Sequence, residues 1–186
     1  MPINIPNILT VLRILIAPLF VIFLLKGLTQ FALLAFALAG ISDGLDGLIA
    51  RYFDQRTTLG SYLDPIADKL LLISAFVSLA VFRFIPGWLA VIVISRDVVI
   101  MIGFAIFSIN NIVVKIKPSL VGKWTTVIQL VTVFLVLLDP KIIGAFYMKW
   151  SLFWAVAVLT ILSGLHYMYV GLNILQEGAK NNQGEK

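Results

Sequence analysis

Six mostly apolar runs, at about 8–25, 31–50, 61–82, 87–108, 123–139 and 150–174, follow one another with only short polar breaks between them. Each is long enough for a helix to cross a bilayer, which takes roughly 20 apolar residues. The breaks fall at Lys26-Gly27, Arg51 to Thr58, Arg83 to Gly87, Asn110 to Pro118 and Asp139-Pro140-Lys141, where charge, Pro or Gly interrupts the hydropathy. Composition agrees: 61% of the residues are hydrophobic, 12% are charged and the mean hydropathy is +1.05, far from a soluble domain of average composition. The predicted fold is therefore all-α, an integral membrane bundle of six transmembrane helices in one domain, 1–176. The remainder, 177–186, is a polar C-terminal tail expected to fray. The first residues, MPINIPN, carry no positive charge cluster and no small-residue cleavage site follows the first run, so that run is expected to stay as a span.

Charge sets an expected orientation. With six spans, the side that carries both termini holds Arg51, Arg56, Lys115, Lys117, Lys123, Lys180 and Lys186, against Lys26, Arg83, Lys141 and Lys149 on the other. Basic loops favour the cytoplasm, so both termini and the loop between spans two and three are predicted to face it. The net charge of +5 suits anionic lipid headgroups and also follows from basic cytoplasmic loops; no nucleic-acid partner is expected. There is no cysteine and only one histidine, His166, which excludes disulfides, thiolate metal sites and a cysteine nucleophile.

Against this background Asp43, Asp46, Asp64 and Asp68 demand a reason, because an aspartate at mid-membrane costs about 2.5–3.5 kcal/mol. Asp43 and Asp46 are three apart and Asp64 and Asp68 four apart, so each pair shares a helix face. Spans two and three meet at the cytoplasmic side, where the two faces can converge. Crowded carboxylates share protons or bind hard cations, and oxygen-only ligands select Mg²⁺, Mn²⁺ or Ca²⁺. Gly44, Gly47, Ala50 and Gly60 leave room for a bulky ligand, and Arg51 and Arg56 can fork onto phosphate. Small residues also serve helix packing in lipid, the ordinary role of any one of them alone. Together, acids, small residues and arginines describe a site for a diphosphate ester.

The string D-x-x-D-G-x-x-A-R-x8-G-x3-D-x3-D, formed by Asp43, Asp46, Gly47, Ala50, Arg51, Gly60, Asp64 and Asp68, resembles the signature of the CDP-alcohol phosphatidyltransferases. The N-terminal IPNILTVLR is similar to that family's P-N-x-L-T-x-x-R segment. The resemblance implies a homodimeric six-helix membrane enzyme that binds CDP-diacylglycerol, with Asn7, Thr10, Arg13, Gly47, Ala50, Arg51 and Gly60 at the nucleotide lipid. It further implies that Asp43, Asp46 and Asp64 hold one or two divalent metals, Mg²⁺ or Mn²⁺, and that Asp68 sits with them and acts as base. A base is also what the chemistry needs, since an alcohol attacks phosphorus poorly until its proton is taken.

For the acceptor alcohol, Arg56, Arg96, Asp97, Lys117 and Lys123 are the candidates. An arginine beside a carboxylate inside a span is a functional candidate by default, although lysines at loop ends also follow from orientation alone. The segments FALAGISDGLDGLIAR, ISRDV and IKPSLVGKWTTVIQ resemble the cardiolipin synthases of this family, which implies phosphatidylglycerol as acceptor. Glycerol 3-phosphate, the acceptor of the phosphatidylglycerol phosphate synthases, stays open; the second arginine typical of their fourth span is missing here. His166, Tyr167 and Tyr169, and the tryptophans 88, 124, 150 and 154, fit an interfacial aromatic belt. A cation channel or transporter is the competing class, but it would spread its acids through the membrane depth rather than gather them at one end.

Overall fold

Each break in hydropathy becomes a helix end. In the computed structural model the backbone is described for residues 5–52, 58–109, 120–138 and 146–184, and side chains for 10–42, 67–103, 106–107, 121–138 and 149–174. Six helices follow: α1 (Ile5–Leu25), α2 (Thr29–Tyr52), α3 (Thr58–Val81), α4 (Gly87–Ile109), α5 (Leu120–Leu138) and α6 (Phe146–Gly184). Among the described residues there is no strand.

The two tight connections show how the sequence stops a helix. After α1, Gly27 N donates to Leu24 O at 3.0 Å and Leu28 N to Phe23 O at 2.9 Å, with Gly27 at φ 70°. These paired bonds satisfy carbonyls that the helix end leaves open, and glycine takes the left-handed conformation without steric cost. After α3 the same pair of bonds recurs, Arg83 N to Ala80 O at 3.1 Å and Phe84 N to Leu79 O at 2.9 Å, but the left-handed residue is Arg83 at φ 60°.

The expected frayed tail is corrected. Helix α6 runs on through the polar segment to Gly184. Extending a nucleated helix fixes one residue per hydrogen bond gained, and Gln176, Glu177, Ala179 and Lys180 are all good helix formers.

Packing arranges the helices around a buried seam. Helix α1 lies against α2 and α3, α4 lies between α3 and α6, and α5 packs on α6 and α2. Ala32, Ala35 and Ala39 are buried at helical spacing on α2 and allow close approach, while Phe20 and Phe36 meet with ring centroids 5.9 Å apart. Phe76, Leu79, Leu89, Val93, Val133 and Val156 fill the centre. At the end of the bundle away from the aspartates, Trp88 packs on Trp154 and Trp150, with centroids 5.2 and 6.4 Å apart.

The outward faces are apolar as well. Leu15, Leu25, Leu34, Leu38, Ile41, Val81, Val91 and Leu165 are all more than half exposed. By length and composition, Val121–Leu138 and Lys149–Ile174 can each cross a membrane, and Thr10–Leu25 and Thr29–Ser42 are shorter apolar segments.

Candidate active site

The motif aspartates are carried by two helices that both pack against α1. Asp43 and Asp46 lie in the last part of α2, and Asp64 and Asp68 in the first half of α3. The side chains of Asn7, Asp43, Asp46, Gly47, Ala50, Arg51, Gly60 and Asp64 lie outside the described residues, as do Arg56 and Lys117 altogether. Asp68 is described: its side chain is 40% exposed and accepts an ion-paired hydrogen bond from Arg13 Nη1. Arg13 itself is 1% exposed and Thr10, one turn before it on α1, is fully buried. Arg13 thus reaches Asp68 from inside the bundle, from the side opposite to solvent. A buried guanidinium beneath a half-exposed carboxylate fixes where the carboxylate oxygens sit.

The residue after Asp68 belongs to a second cluster. Lys69 Nζ donates to Asp97 Oδ1 at 2.5 Å, and Arg96 Nη1 donates to the same oxygen at 2.7 Å. Asp97 is fully buried, Arg96 is 7% exposed and Lys69 is 23% exposed. One carboxylate therefore balances two cations, as burial requires of charge in an apolar bundle. Arg96 Nη2 continues the network to Ser163 Oγ on α6 at 2.8 Å, and the Arg96 Cζ lies 5.6 Å from the centre of the Tyr167 ring.

This network forms one wall of a cavity of about 610 Å³ between α3, α4, α5 and α6. Lys69, Arg96 and Lys123 supply its cations; Val99, Ile102, Ile106, Phe107, Met168 and Leu172 are among its apolar wall residues. Arg96 Nε is buried and has no hydrogen-bond partner among the described residues. Behind the cavity a polar seam joins α5 to α6. Thr125, Gln129, Thr132, Thr160 and Ser163 are all fully buried, and Gln129 Nε2 donates to Thr160 Oγ1 at 3.1 Å.

Of the residues expected at the acceptor, Arg96, Asp97 and Lys123 are brought to this one region. Lys69, Ser163 and Tyr167 join them without having been singled out for that role. Lys69 follows Asp68 directly, which was the available signal. Tyr167 looked like a belt aromatic, and no pattern within α6 reveals that its ring covers an arginine of α4; Tyr169, by contrast, is exposed as a belt residue should be.

Fold and site together define an all-helical, apolar protein with a cationic cavity beside a half-exposed aspartate. The chain belongs to the CDP-alcohol phosphatidyltransferase family, whose model matches residues 3–162. It is 34% identical to the cardiolipin synthase (CMP-forming) of Homo sapiens over 194 aligned positions, covering 94% of this chain and 64% of that protein. A cardiolipin synthase (CMP-forming) / mitochondrial hydrolase fusion protein of Schizosaccharomyces pombe is 33% identical, over 88% of this chain and 30% of that protein. The chain thus spans less than two thirds of the length of either. The CDP-diacylglycerol–glycerol-3-phosphate 3-phosphatidyltransferase of Shigella flexneri serotype 5b is also 33% identical, over 90% of this chain and 94% of that protein.

Proposed function

We propose that this chain transfers the phosphatidyl group of CDP-diacylglycerol to a hydroxyl of phosphatidylglycerol, forming cardiolipin and releasing CMP. Membership in the family supports the donor and the reaction type; relatives named for either acceptor align over most of this chain, so the acceptor rests on the cavity. The observation that carries this choice is that Lys69, Arg96 and Lys123 line a volume walled mostly by apolar side chains and glycines, with Thr126 and Tyr167. A lipid phosphodiester bears one charge and brings acyl chain with it, which suits a cationic edge on an apolar groove. Glycerol 3-phosphate bears nearly two charges and has no apolar part to place there. Asp97 lowers the positive charge of the site further by binding two of the three cations.

In this reading the acceptor hydroxyl gives its proton to Asp68. The freed oxygen attacks the phosphorus of the phosphatidyl group, the bond to CMP breaks, and CMP leaves with the electron pair. Arg13 holds Asp68 in place, and the 40% exposure of its side chain leaves it reachable. With no cysteine in the chain, direct displacement is simpler than a covalent intermediate. Among the described residues no group of three His, Asp, Glu or Cys side chains gathers to hold a metal, and Asp97 is already committed to Lys69 and Arg96. The family resemblance gives Asp43, Asp46 and Asp64 beside Asp68 as the donor set for a hard divalent cation, Mg²⁺ or Mn²⁺, and their carboxylate oxygens suit one. Bound there, the cation would neutralise charge on the diphosphate.

The apolar outward faces favour immersion of the helices in lipid; the basic loops favour termini and site toward the cytoplasm, and the family resemblance favours a homodimer. The test is purified protein in lipid nanodiscs with CDP-diacylglycerol, offered phosphatidylglycerol, glycerol 3-phosphate, inositol or serine. CMP release with cardiolipin as the fastest product is the expected result. Phosphatidylglycerol phosphate as the main product would transfer the assignment to glycerol 3-phosphate; no CMP release with any acceptor would overturn it altogether.

A further inference from the structure

Arginine is a long side chain that ordinarily samples many rotamers, yet α6 takes that freedom from Arg96 in three ways. Ser163 Oγ accepts from its Nη2 at 2.8 Å. The Tyr167 ring lies 5.6 Å from its Cζ, within the range of a cation–π contact. Gly164 lies against its stem: a Cβ at that position would stand 3.4 Å from Arg96 Cγ, in van der Waals contact. Residues 163, 164 and 167 fall on one face of α6 by spacing alone. From α4 itself, Asp97 Oδ1 accepts from Nη1 at 2.7 Å. The outcome is a guanidinium held at both terminal nitrogens and by a ring, in a residue that lines the cavity.

We propose that Ser163, Gly164 and Tyr167 are positioning residues, a cradle on α6 that holds Arg96 ready for the phosphodiester of an anionic lipid acceptor. The proposal rests on the assignment of the cavity to the acceptor. An arginine that is free to move must be ordered by its ligand, and that cost is subtracted from binding. An arginine already held does not charge it. The Tyr167 ring also places an apolar surface next to the cation, matching a lipid headgroup in which one charged phosphodiester adjoins glycerol and acyl chain. The cradle therefore acts on the acceptor and leaves the donor site, carried by α2 and α3, untouched.

The full chain in nanodiscs tests this with Tyr167→Leu, Tyr167→Phe and Ser163→Ala. Two quantities are measured: the KM for phosphatidylglycerol and for CDP-diacylglycerol, each with the other saturating, and equilibrium binding of fluorescent phosphatidylglycerol with no CDP-diacylglycerol present. Tyr167→Leu should raise the KM for phosphatidylglycerol about five- to tenfold and weaken its binding in parallel. The KM for CDP-diacylglycerol should stay near wild type, and Tyr167→Phe, which keeps the ring, should restore acceptor use. Ser163→Ala should shift the same parameters in the same direction, and it carries the test if Tyr167→Leu does not fold. Unchanged acceptor KM and binding, or an equal rise in both KM values with a lower Tm, would overturn the cradle. Tyr167-dependent phosphatidylglycerol binding by a protein that makes no cardiolipin would support the cradle and reject the function proposed above. A wild-type protein that neither binds phosphatidylglycerol nor makes cardiolipin would reject both.

Discussion

Asp68 and Asp97 are two buried-end carboxylates with opposite surroundings. Asp68 is 40% exposed and pairs with Arg13, whereas Asp97 is fully enclosed and spends one oxygen on two cations. The first suits the proton transfer proposed for it, and the second balances charge. Asp68→Asn keeps the shape and removes the proton acceptor, so turnover should fall by about 10²–10⁴-fold while CDP-diacylglycerol binding persists. Steady-state rates alongside equilibrium binding check this, and a variant with normal turnover would require another base. Asp97→Ala leaves Lys69 and Arg96 facing each other in the bundle without a counter-charge. Loss of one partner of a buried ion pair costs about 3–5 kcal/mol, and a large drop in Tm in detergent is the expected result. Asp97→Ala with Lys69→Met should recover part of it, because one of the stranded charges is then gone.

At the level of elements, the ends of the helices are governed by local chemistry and their faces by packing. Gly27 and Arg83 close α1 and α3 with the same bonded turn, but only glycine adopts the left-handed conformation without strain. Arg83 is exposed, so its conformational cost should show up cleanly in substitution. Arg83→Gly should stabilise by about 0.5–1 kcal/mol, and Arg83→Val, β-branched, should destabilise by about 1 kcal/mol. Thermal unfolding of the two variants against wild type measures both. Helix α6 shows how one element serves packing and site together. Gly164 receives the stem of Arg96, and seven residues on Gly171 receives the Phe107 ring, where an added Cβ would stand 3.7 Å from its nearest atom. Two glycines two turns apart thus seat two side chains of α4, and the cationic wall of the cavity is built by the contact that holds these helices together.

Among the described residues the molecule is largely apolar inside and out, and Asp97 in its interior balances Lys69 and Arg96. Large side chains such as Leu15, Leu38 and Val91 stand exposed on separate helices, which in water would drive association and in lipid costs nothing. Against that surround a diphosphate cannot enter a cluster of carboxylates without a cation to offset their repulsion. Excess EDTA should therefore abolish CMP release, and Mg²⁺ or Mn²⁺ should restore it. Full turnover in the chelator would remove the aspartates from the metal role.

Hydropathy and punctuation alone determine the six helices to within a few residues, except at the end of α6, which runs to Gly184 rather than about 174, because a helix satisfies its backbone hydrogen bonds within its own segment. The spacing of Asp43, Asp46, Asp64 and Asp68 likewise puts each pair on one helix face, since residues three and four apart share a face whatever the helix packs against. Which cation answers Asp68, and that Lys69 and Arg96 share one oxygen of Asp97, are facts about pairs 55, 28 and one residue apart in the chain. The link from Arg96 to Ser163 spans 67 residues. No periodicity within one helix encodes a contact of that kind. The depth and rotation at which α4 meets α6 decide whether Tyr167 faces lipid or an arginine, and those are set by the packing of side chains from all the helices at once.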